Sequence, residues 1–371
     1  MNPAELVGSS IDELPTPAVL IDLPTLRGNI ARMSELAAGF GVALRPHWKT
    51  TKSAEVARLQ LAAGAVGLTA ATAAEVEALI DAGITDVFWA YPPVGPHRVR
   101  TAINAAQRAR LIVGLDSMAS AEPLAQAAVA AGIEVEVRLE VDSGLGRSGV
   151  DPDAAAAVAA EIAALPGLRL EGVFTHEGQV QGVGADPRRR IEAGTLAGEC
   201  VVQVAEAIRA AGLSLTSVSV GSTAGARSAP GVAGVTEARP GTYAYGDQNQ
   251  VAIGTIDPSE AAMTVLSRVI SVERGDPAMV DAGIKGMSSD GSMHGDGRIG
   301  TLCTVNGAET DGILSTGHEE HGFLTGAGDL RVGDLLRIRP NHACGLTNMH
   351  TQVFAVEDGV VKEVWPVLGR H

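Results

Sequence analysis

Residues 110–144 read RLIVGLDSMASAEPLAQAAVAAGIEVEVRLEVDSG. A short apolar run rich in β-branched residues leads into an Ala-rich stretch with helical periodicity, and a second β-branched run follows. This order predicts a strand at residues 110–113, a helix at 117–131 and a second strand at 134–141. The segment is therefore one strand–helix–strand step of an α/β fold.

The same step recurs from Thr16 onward. About eight strand–helix units without a long excursion predict an α/β chain of the (β/α)8 TIM-type barrel class, with an open doubly wound sheet as the alternative. In such a barrel the chemistry lies at the C-terminal ends of the strands. The predicted strands are 18–21, 42–45, 65–70, 86–90, 110–113, 134–141, 168–175 and 215–220, and the predicted helices are 24–39, 53–63, 73–82, 117–131, 152–165 and 187–211.

The pattern changes after Gly254. Residues 262–272, 278–282, 335–339 and 352–365 alternate between apolar and polar positions and are separated by Gly and Asp turns, with no long helix between them. The sequence therefore predicts a second, mostly β domain after the barrel.

Composition excludes several classes of partner. The chain has 371 residues, and 43 acidic against 28 basic residues give a formal net charge of −15. Nucleic-acid binding depends on cationic neutralisation of phosphates, so we expect no nucleic-acid partner. The N-terminus lacks the pattern of a signal peptide, the apolar stretches are too short for a bilayer, and three cysteines without framework spacing fit a reducing compartment. We expect a cytoplasmic protein that does not bind membranes.

The segment LRPHWKTTKS, residues 44–53, concentrates basic side chains at the end of a predicted strand. Lys49 is placed to project into the barrel mouth. A partly desolvated lysine beside other cations can act as an amine nucleophile or form a Schiff base. The alternative is a basic rim that binds an anion or faces water.

Two glycine-rich segments also follow predicted strands. In EVDSGLGRSG, residues 140–149, glycines around Arg147 would let the guanidinium approach a planar anionic ligand, or form an ordinary turn. In VSVGSTAGAR, residues 218–227, an apolar strand leads into Gly221, Ser222 and Thr223. Small residues there suit a phosphate cradle, because they expose backbone N–H groups, although a simple Gly-Ser turn is the alternative.

A candidate metal pair lies in RIRPNHACGLTNMH, residues 337–350. If this segment is extended, His342 and Cys344 point to the same face. Imidazole and thiolate suit zinc and accept other divalent ions. A third donor such as His321 would be needed unless water or substrate completes the site, and the alternative is a buried cysteine beside a hydrogen-bonded histidine.

Taken in order, nine segments resemble the D-threonine aldolase and eukaryotic-type D-serine dehydratase family, which belongs to the alanine-racemase-like, fold-type III pyridoxal-phosphate enzymes. The resemblance covers essentially the whole chain. It implies a pyridoxal-phosphate barrel at residues 15–254, a β-rich domain at 255–371 that includes 1–14 and carries the metal site, and a homodimer. The segments are TPAVLIDLPTLRGNI, RPHWKTTKS, VGLTAATAAEVEAL, VDSGLGRSG, VGSTAG, EARPGTYAYGDQ, MVDAGIKGMSSD, EEHG and PNHAC.

The resemblance also implies roles for single residues. Lys49 matches the lysine that holds pyridoxal phosphate, and Arg147 matches the arginine beside the cofactor ring oxygen. His176, in THEGQ, matches an active-site histidine or tyrosine. The remaining matches are Gly221, Ser222 and Thr223 for the phosphate loop, Tyr243 for a further phosphate or ring contact, and His342 and Cys344 for a divalent metal, Zn, Mn or Mg.

Two positions depart from most relatives. Thr51 stands where the family motif has a histidine, and the metal pair is His-x-Cys, as in the dehydratases, where several aldolases have His-x-Asp. The resemblance implies a pyridoxal-phosphate- and metal-dependent lyase acting on a small D-3-hydroxy amino acid. We expect retro-aldol cleavage to glycine and an aldehyde, with dehydration to a 2-oxo acid and ammonia as the alternative and a racemase after that. A non-catalytic cofactor carrier is disfavoured by the strands after Gly254.

Overall fold

The computed structural model describes residues 3–370. Its strands are β1 Ala18–Asp22, β2 Ala43–Leu44, β3 Leu68–Ala70, β4 Asp86–Trp89, β5 Arg110–Leu115, β6 Val135–Glu140, β7 Leu168–Phe174, β8 Ser217–Val220, β9 Glu237–Ala238, β10 Met263–Ser271, β11 Ala278–Val280, β12 Gly300–Cys303, β13 Glu309–Gly317, β14 Gly322–Thr325, β15 Leu335–Pro340, β16 Gln352–Glu357 and β17 Val360–Pro366. Its helices are α1 Leu23–Phe40, α2 Ala54–Ala62, α3 Ala73–Asp81, α4 Pro96–Ala106, α5 Met118–Ala131, α6 Ala155–Ala163, α7 Gln179–Gly182, α8 Pro187–Ala210, α9 Gln248–Ala252, α10 Ile284–Met287 and α11 Ala343–Met349.

Contacts divide the chain into two compact units. The first, here the β unit, comprises the described residues up to Ala31 together with Thr50–Glu55 and Thr242–Leu368. The second, here the barrel unit, comprises Arg32–Lys49, Val56–Gly241 and residues 369–370. The sequence analysis placed the domain boundary at residue 254, and the boundary by contacts lies between Gly241 and Thr242.

The barrel unit is built on eight parallel strands in the order β2-β9-β8-β7-β6-β5-β4-β3. The two ends of this order meet, because the Val66 amide donates to the Leu44 carbonyl at 2.9 Å and the Thr69 amide to the Pro46 carbonyl at 2.8 Å. The predicted barrel class is confirmed.

One predicted barrel strand is wrong. The segment 18–21 forms β1, which pairs with β10 and β16 in the other sheet. The eighth barrel strand is instead β9, which has only two residues. The apolar run of β1 predicts a buried strand correctly but carries no information about its partner, and residues 235–238, VTEA, have no apolar run that would mark β9 as a strand.

Charged side chains fill part of the barrel interior. Arg138 donates to Glu171 and to Glu237, each at 2.5 Å, and Arg45 donates to Glu237 at 2.8 Å. Burial raises the pKa of Glu237, but the two arginines outweigh burial and hold it well below its usual range. Since each buried charge is paired, this layer closes the interior without leaving an isolated ion.

The β unit contains a nine-stranded sheet in the order β11-β14-β13-β12-β15-β10-β1-β16-β17. All its pairs are antiparallel except β1 with β16. The predicted strand 352–365 is a hairpin, β16 and β17, which turns at Asp358, where φ is 52°. The predicted mostly β architecture is confirmed. Within residues 3–370, no helix is long and apolar enough to cross a membrane.

Candidate functional site

The mouth of the barrel holds a cavity of about 1050 Å³. Its lining comes from the segments that follow β2, β3, β4, β5 and β6, where a barrel of this class places its chemistry. Lys49 and Arg147, both predicted site residues, line the cavity together with His47 and Glu140.

Lys49 sits in a 3₁₀ turn, Trp48–Thr50, directly after the His47 position. The turn is anchored by Trp48, which is fully buried. The Lys49 amide donates to Nδ1 of His47 at 3.4 Å, so the neutral His47 ring carries its proton on Nε2. The nearby Lys52 belongs to the β unit and is buried, so Lys49 is the lysine that lines the mouth.

Two imidazoles at the mouth are held uncharged. Burial lowers the pKa of His47 well below its usual value, and the charges of Lys49 and Arg239 lower it further. Burial lowers the pKa of His176 to about 3, and Lys49 again adds to the effect. The cations that act on these two imidazoles are Lys49, Arg147 and Arg239. The cavity lining also includes the carboxyl groups of Glu77, Asp116 and Glu140.

His176 follows β7, and its orientation is fixed by one hydrogen bond. Nδ1 lies 2.5 Å from the carbonyl oxygen of Gly221. A carbonyl can only accept, so Nδ1 carries the proton of the neutral ring and Nε2 keeps its lone pair. Nε2 of His176 is therefore a hydrogen-bond acceptor.

The turn that carries Arg147 is held by a carboxylate. Asp142 Oδ1 accepts the amides of Gly144 at 2.9 Å and Gly146 at 3.1 Å. Gly149 closes the turn with φ 101°, and a Cβ there would lie 2.7 Å from the Asp142 nitrogen. The Arg147 side chain is 55% exposed, and its Nη2 lies 3.8 Å from Oε1 of Glu140. The guanidinium is thus delivered to the mouth by backbone geometry that requires glycine.

The predicted phosphate loop follows β8. A Cβ at Gly221 would lie 2.8 Å from Cβ of Arg239, and the Gly221 amide donates to Glu177 at 2.8 Å. Ser222 Oγ accepts the Gly225 amide at 2.9 Å. A tight loop of small residues against a buried guanidinium is the arrangement that a phosphate needs, so these residues fit pyridoxal phosphate.

Arg239 was not among the site residues predicted from the sequence. This arginine follows β9, is 4% exposed, and donates to Ser219 Oγ at 2.5 Å and to the Thr175 carbonyl at 2.7 Å. Its guanidinium carbon lies 5.2 Å from the Phe174 ring centre, and burial lowers its pKa to about 10. Arg239 directly follows Glu237–Ala238 in the segment EARPGTY. That position indicates a site residue only once these two residues are recognised as the barrel strand β9.

His342 and Cys344 lie in the β unit, and the geometry assumed for them is wrong. β15 ends at Pro340, His342 is the N-cap of α11, and Cys344 lies in the first turn of that helix. The strand alternation used in the prediction therefore does not apply. The two side chains nevertheless interact. The charge of Cys344 makes the largest contribution to the raised pKa of His342, which reaches about 11.

Asp247 orients the metal-pair histidine. Its side chain is fully buried, and Oδ2 lies 3.1 Å from His342 Nδ1 and accepts the Ala343 amide at 3.0 Å. Its Oδ1 accepts the Gln250 amide at 2.9 Å. With Nδ1 held in this way, Nε2 is the atom of His342 that can face a metal.

Cys344 also has a polar neighbour in Thr50, whose Oγ1 lies 3.1 Å from its Sγ. The suggested third donor, His321, lies on the exposed turn between β13 and β14. Across residues 3–370, no three His, Cys, Asp or Glu side chains are grouped so that they could hold one metal. The soft imidazole and thiol pair fits a divalent ion whose other positions are open to water or substrate.

The remaining predicted positions are also in the β unit. Tyr243 is 3% exposed, and Thr51, the departure from the family motif, is fully buried. The Thr51 carbonyl accepts the Tyr245 hydroxyl at 3.4 Å. Among the predicted site residues, the barrel unit thus holds Lys49, Arg147, His176 and Gly221, Ser222 and Thr223, and the β unit holds Tyr243, His342 and Cys344.

Known proteins of similar sequence cover both units. Residues 21–249 match the family described as alanine racemase, N-terminal domain, and residues 262–356 match the one described as putative serine dehydratase domain. The D-threo-3-hydroxyaspartate dehydratase of Delftia sp. (strain HT23) is 39% identical over 89% of this chain and 91% of its own. The D-threonine aldolase of Arthrobacter sp is 30% identical over 98% of this chain and 94% of its own.

Solved structures of relatives have the same overall fold as this chain. The D-threo-3-hydroxyaspartate dehydratase has been solved as a cysteine-to-alanine variant described as metal-free, with a TM-score of 0.90 and 35% identity over 97% of this chain and 99% of that one. A variant of the same enzyme with a histidine two positions earlier replaced by alanine also has a TM-score of 0.90. The chain therefore belongs to the alanine-racemase-like, fold-type III pyridoxal-phosphate family, in its D-threonine aldolase and D-serine dehydratase branch.

Proposed function

We propose that the protein is a pyridoxal-phosphate- and divalent-metal-dependent lyase that dehydrates a D-3-hydroxy amino acid. The products would be a 2-oxo acid and ammonia: the hydroxyl group leaves as water, and hydrolysis at the α carbon then releases the amino group. The observation that carries this proposal is the His342 and Cys344 pair with Asp247 behind it. The 39% identical relative is a dehydratase, and its solved variants replace a histidine and a cysteine at this same spacing.

The barrel unit would hold the cofactor. The ε-amine of Lys49 would bind its aldehyde, and the loop of Gly221, Ser222 and Thr223 would bind its phosphate beside Arg239. Bound pyridoxal phosphate supplies an electron sink for negative charge at the substrate α carbon.

Lys49 is also the group proposed to move the α proton. Its Nζ lines the mouth, where it would accept that proton as an amine. His47 and His176 are held neutral, so they add no positive charge that would compete for the carboxylate of the substrate. Arg147 and Arg239 remain the fixed cations for anionic groups.

The metal is proposed to lie on Nε2 of His342 and Sγ of Cys344. There it would supply Lewis acidity for a hydroxyl group, which is a poor leaving group without such help. Asp247 would keep His342 in the tautomer whose Nε2 is free.

Retro-aldol cleavage is a second candidate. In this reaction the β-hydroxyl must lose its proton, and Nε2 of His176 would accept a hydrogen bond from that hydroxyl. The 30% identical relative over 98% of the chain is a D-threonine aldolase. Tyr243 is proposed as a further phosphate or ring contact, and the homodimer expected from the resemblance stays a prediction.

Product analysis tests the proposal. The holoenzyme is incubated with D-threonine, D-serine and D-threo-3-hydroxyaspartate, and both 2-oxo acid with ammonia and glycine with aldehyde are quantified. We expect 2-oxo acid and ammonia from at least one substrate, loss of turnover after chelation, and recovery on adding zinc or manganese. Glycine with an aldehyde would establish the second candidate, and full turnover in protein shown to be metal-free would overturn the metal dependence.

A further inference from the structure

Glu177, next to His176, is a buried carboxyl that the proposed mechanism does not use. Its side chain is 1% exposed. Oε2 accepts the Gly221 amide at 2.8 Å, whereas Oε1 is buried and has no hydrogen-bond partner among the residues that the structure describes. An ionised carboxylate buried with one oxygen unsatisfied is costly, which points to a different charge state or to a missing partner.

Oε1 is directed toward the proposed phosphate loop. A Cβ at Gly225 would lie 2.8 Å from Glu177 Oε1 and 3.0 Å from Ser222 Oγ. Glycine at this position therefore leaves the space in which the unsatisfied oxygen and the loop meet. A larger residue would fill it.

The groups that face Glu177 come from three segments. On its own segment the neighbouring residue is His176, whose ring is neutral and lies on the Gly221 carbonyl. The loop after β8 contributes the Gly221 amide and the Ser222 hydroxyl, and the segment after β9 contributes Arg239. Arg239 donates to Ser219 and to the Thr175 carbonyl. Burial raises the pKa of Glu177 even though the Gly221 amide, Arg239 and Ser222 each oppose that rise.

We propose that Glu177 is a positioning residue that lies beside the loop as an uncharged carboxylic acid, and that the loop accepts a phosphate group only in this state. The proton would reside on Oε1, where it supplies the missing hydrogen bond, while Oε2 continues to accept from Gly221. The inference rests on the proposed function, because pyridoxal phosphate is the source of the phosphate. A carboxylate beside a phosphate dianion would repel it in a site shielded from water.

The sign of the pH effect follows from linkage. Phosphate binding favours the protonated acid, so the complex holds a proton that the free protein loses as the pH rises. Affinity should therefore fall with rising pH by up to about tenfold per pH unit, the limit for one proton. Glu177→Gln keeps an acceptor for Gly221 and an uncharged donor, so its affinity should not show this fall.

The experiment compares apo wild type with apo E177Q. Dissociation constants for pyridoxal phosphate are measured from cofactor absorbance at several pH values between about pH 6 and about pH 9. The ratio of the two proteins at each pH cancels the ionisation of the cofactor and of Lys49. Pyridoxal, which lacks the phosphate, is the matched ligand control and should show no difference between the proteins.

We expect the wild type to lose affinity relative to E177Q as the pH rises. Parallel profiles would overturn the inference, as would an E177Q protein that folds, by thermal unfolding, yet binds the cofactor weakly at every pH. A wild type that binds no pyridoxal phosphate at any pH would overturn the proposed function itself.

A second measurement does not depend on the variant folding. The infrared carbonyl band of a protonated carboxylic acid is followed in apo wild type as inorganic phosphate is added. An increase or shift of that band is expected, because the phosphate holds the acid in its protonated form. No change on phosphate binding would count against the inference.

Discussion

The barrel mouth and the metal pair of the β unit use the same side chain in opposite ways. At the mouth, burial and neighbouring cations lower the pKa of His176 to about 3. In the β unit, Cys344 and Asp247 raise the pKa of His342 to about 11. Burial and neighbouring charge, rather than residue type, therefore decide the protonation state of each histidine.

The substitution with the largest expected effect removes cofactor binding in the barrel unit and leaves the β unit unchanged. Lys49→Ala should abolish the visible absorbance of the bound cofactor and lower turnover at least about a thousandfold, because the amine that holds the aldehyde is lost. Metal content should not change. Absorbance spectroscopy and metal analysis of the purified variant check both statements.

Borohydride reduction of the wild-type holoenzyme, followed by peptide mapping, provides the positive control for this variant. The modified lysine should be Lys49. Lys52 is buried in the β unit, so we expect it to stay unmodified. Its modification would contradict the assignment of Lys49.

The substitution with the next largest expected effect weakens metal binding in the β unit and leaves the cofactor site unchanged. Asp247→Asn removes the charge that orients His342, so we expect metal affinity to fall about 10- to 100-fold with cofactor absorbance intact. Competition with a metal-binding dye measures this. Asp257→Asn is the matched control, since Asp257 is an exposed aspartate at the start of a 3₁₀ turn in the same unit. Equal affinities in both variants would show that Asp247 only caps its helix.

The third prediction concerns His176 in the barrel unit and has the smallest expected effect for a change of one pH unit. Between pH 6.5 and about 3 the unfolded chain binds a proton on His176 that the folded chain does not, so unfolding free energy should fall as the pH falls through this range. The loss is at most about 1.4 kcal/mol per pH unit. His176→Gln should remove this part of the acid sensitivity, as measured by urea unfolding of the apo protein.

The exposed histidine of α4, His97, supplies the control for that measurement. His97→Gln should leave the pH dependence of unfolding as it is in the wild type. If His176→Gln behaves in the same way as His97→Gln, His176 does not stay neutral in the folded protein.

Seven of the eight barrel strands were predictable from sequence, and one was not. Six of the seven are apolar runs followed by a helix, and the seventh, β8, is an apolar run that leads into the loop at Gly221; both are local signals. β9 has two residues, and only its pairing with β2 and β8 defines it. β1 was recognised as a strand but placed in the wrong sheet, because strand pairing depends on distant chain segments.

The candidate site also contains residues that the local sequence predicts and residues that only the tertiary structure reveals. Lys49, Arg147 and the loop from Gly221 were found because each follows a recognisable strand and has an unusual local composition. Arg239 was missed with β9, and His342 was found through an argument about strands that α11 does not obey. The family motifs supplied that pair, and the helix supplies its geometry.

The sequence by itself determined the barrel class, the β-rich second unit, the family and the lysine at the mouth, because these depend on periodicity and on residue types in a fixed order. Only the tertiary structure decided which histidines are neutral, where Arg239 lies and that Glu177 is buried with an unsatisfied oxygen. The reason is physical: charge state depends on burial and on the charges nearby, and both are set by residues far apart in the chain.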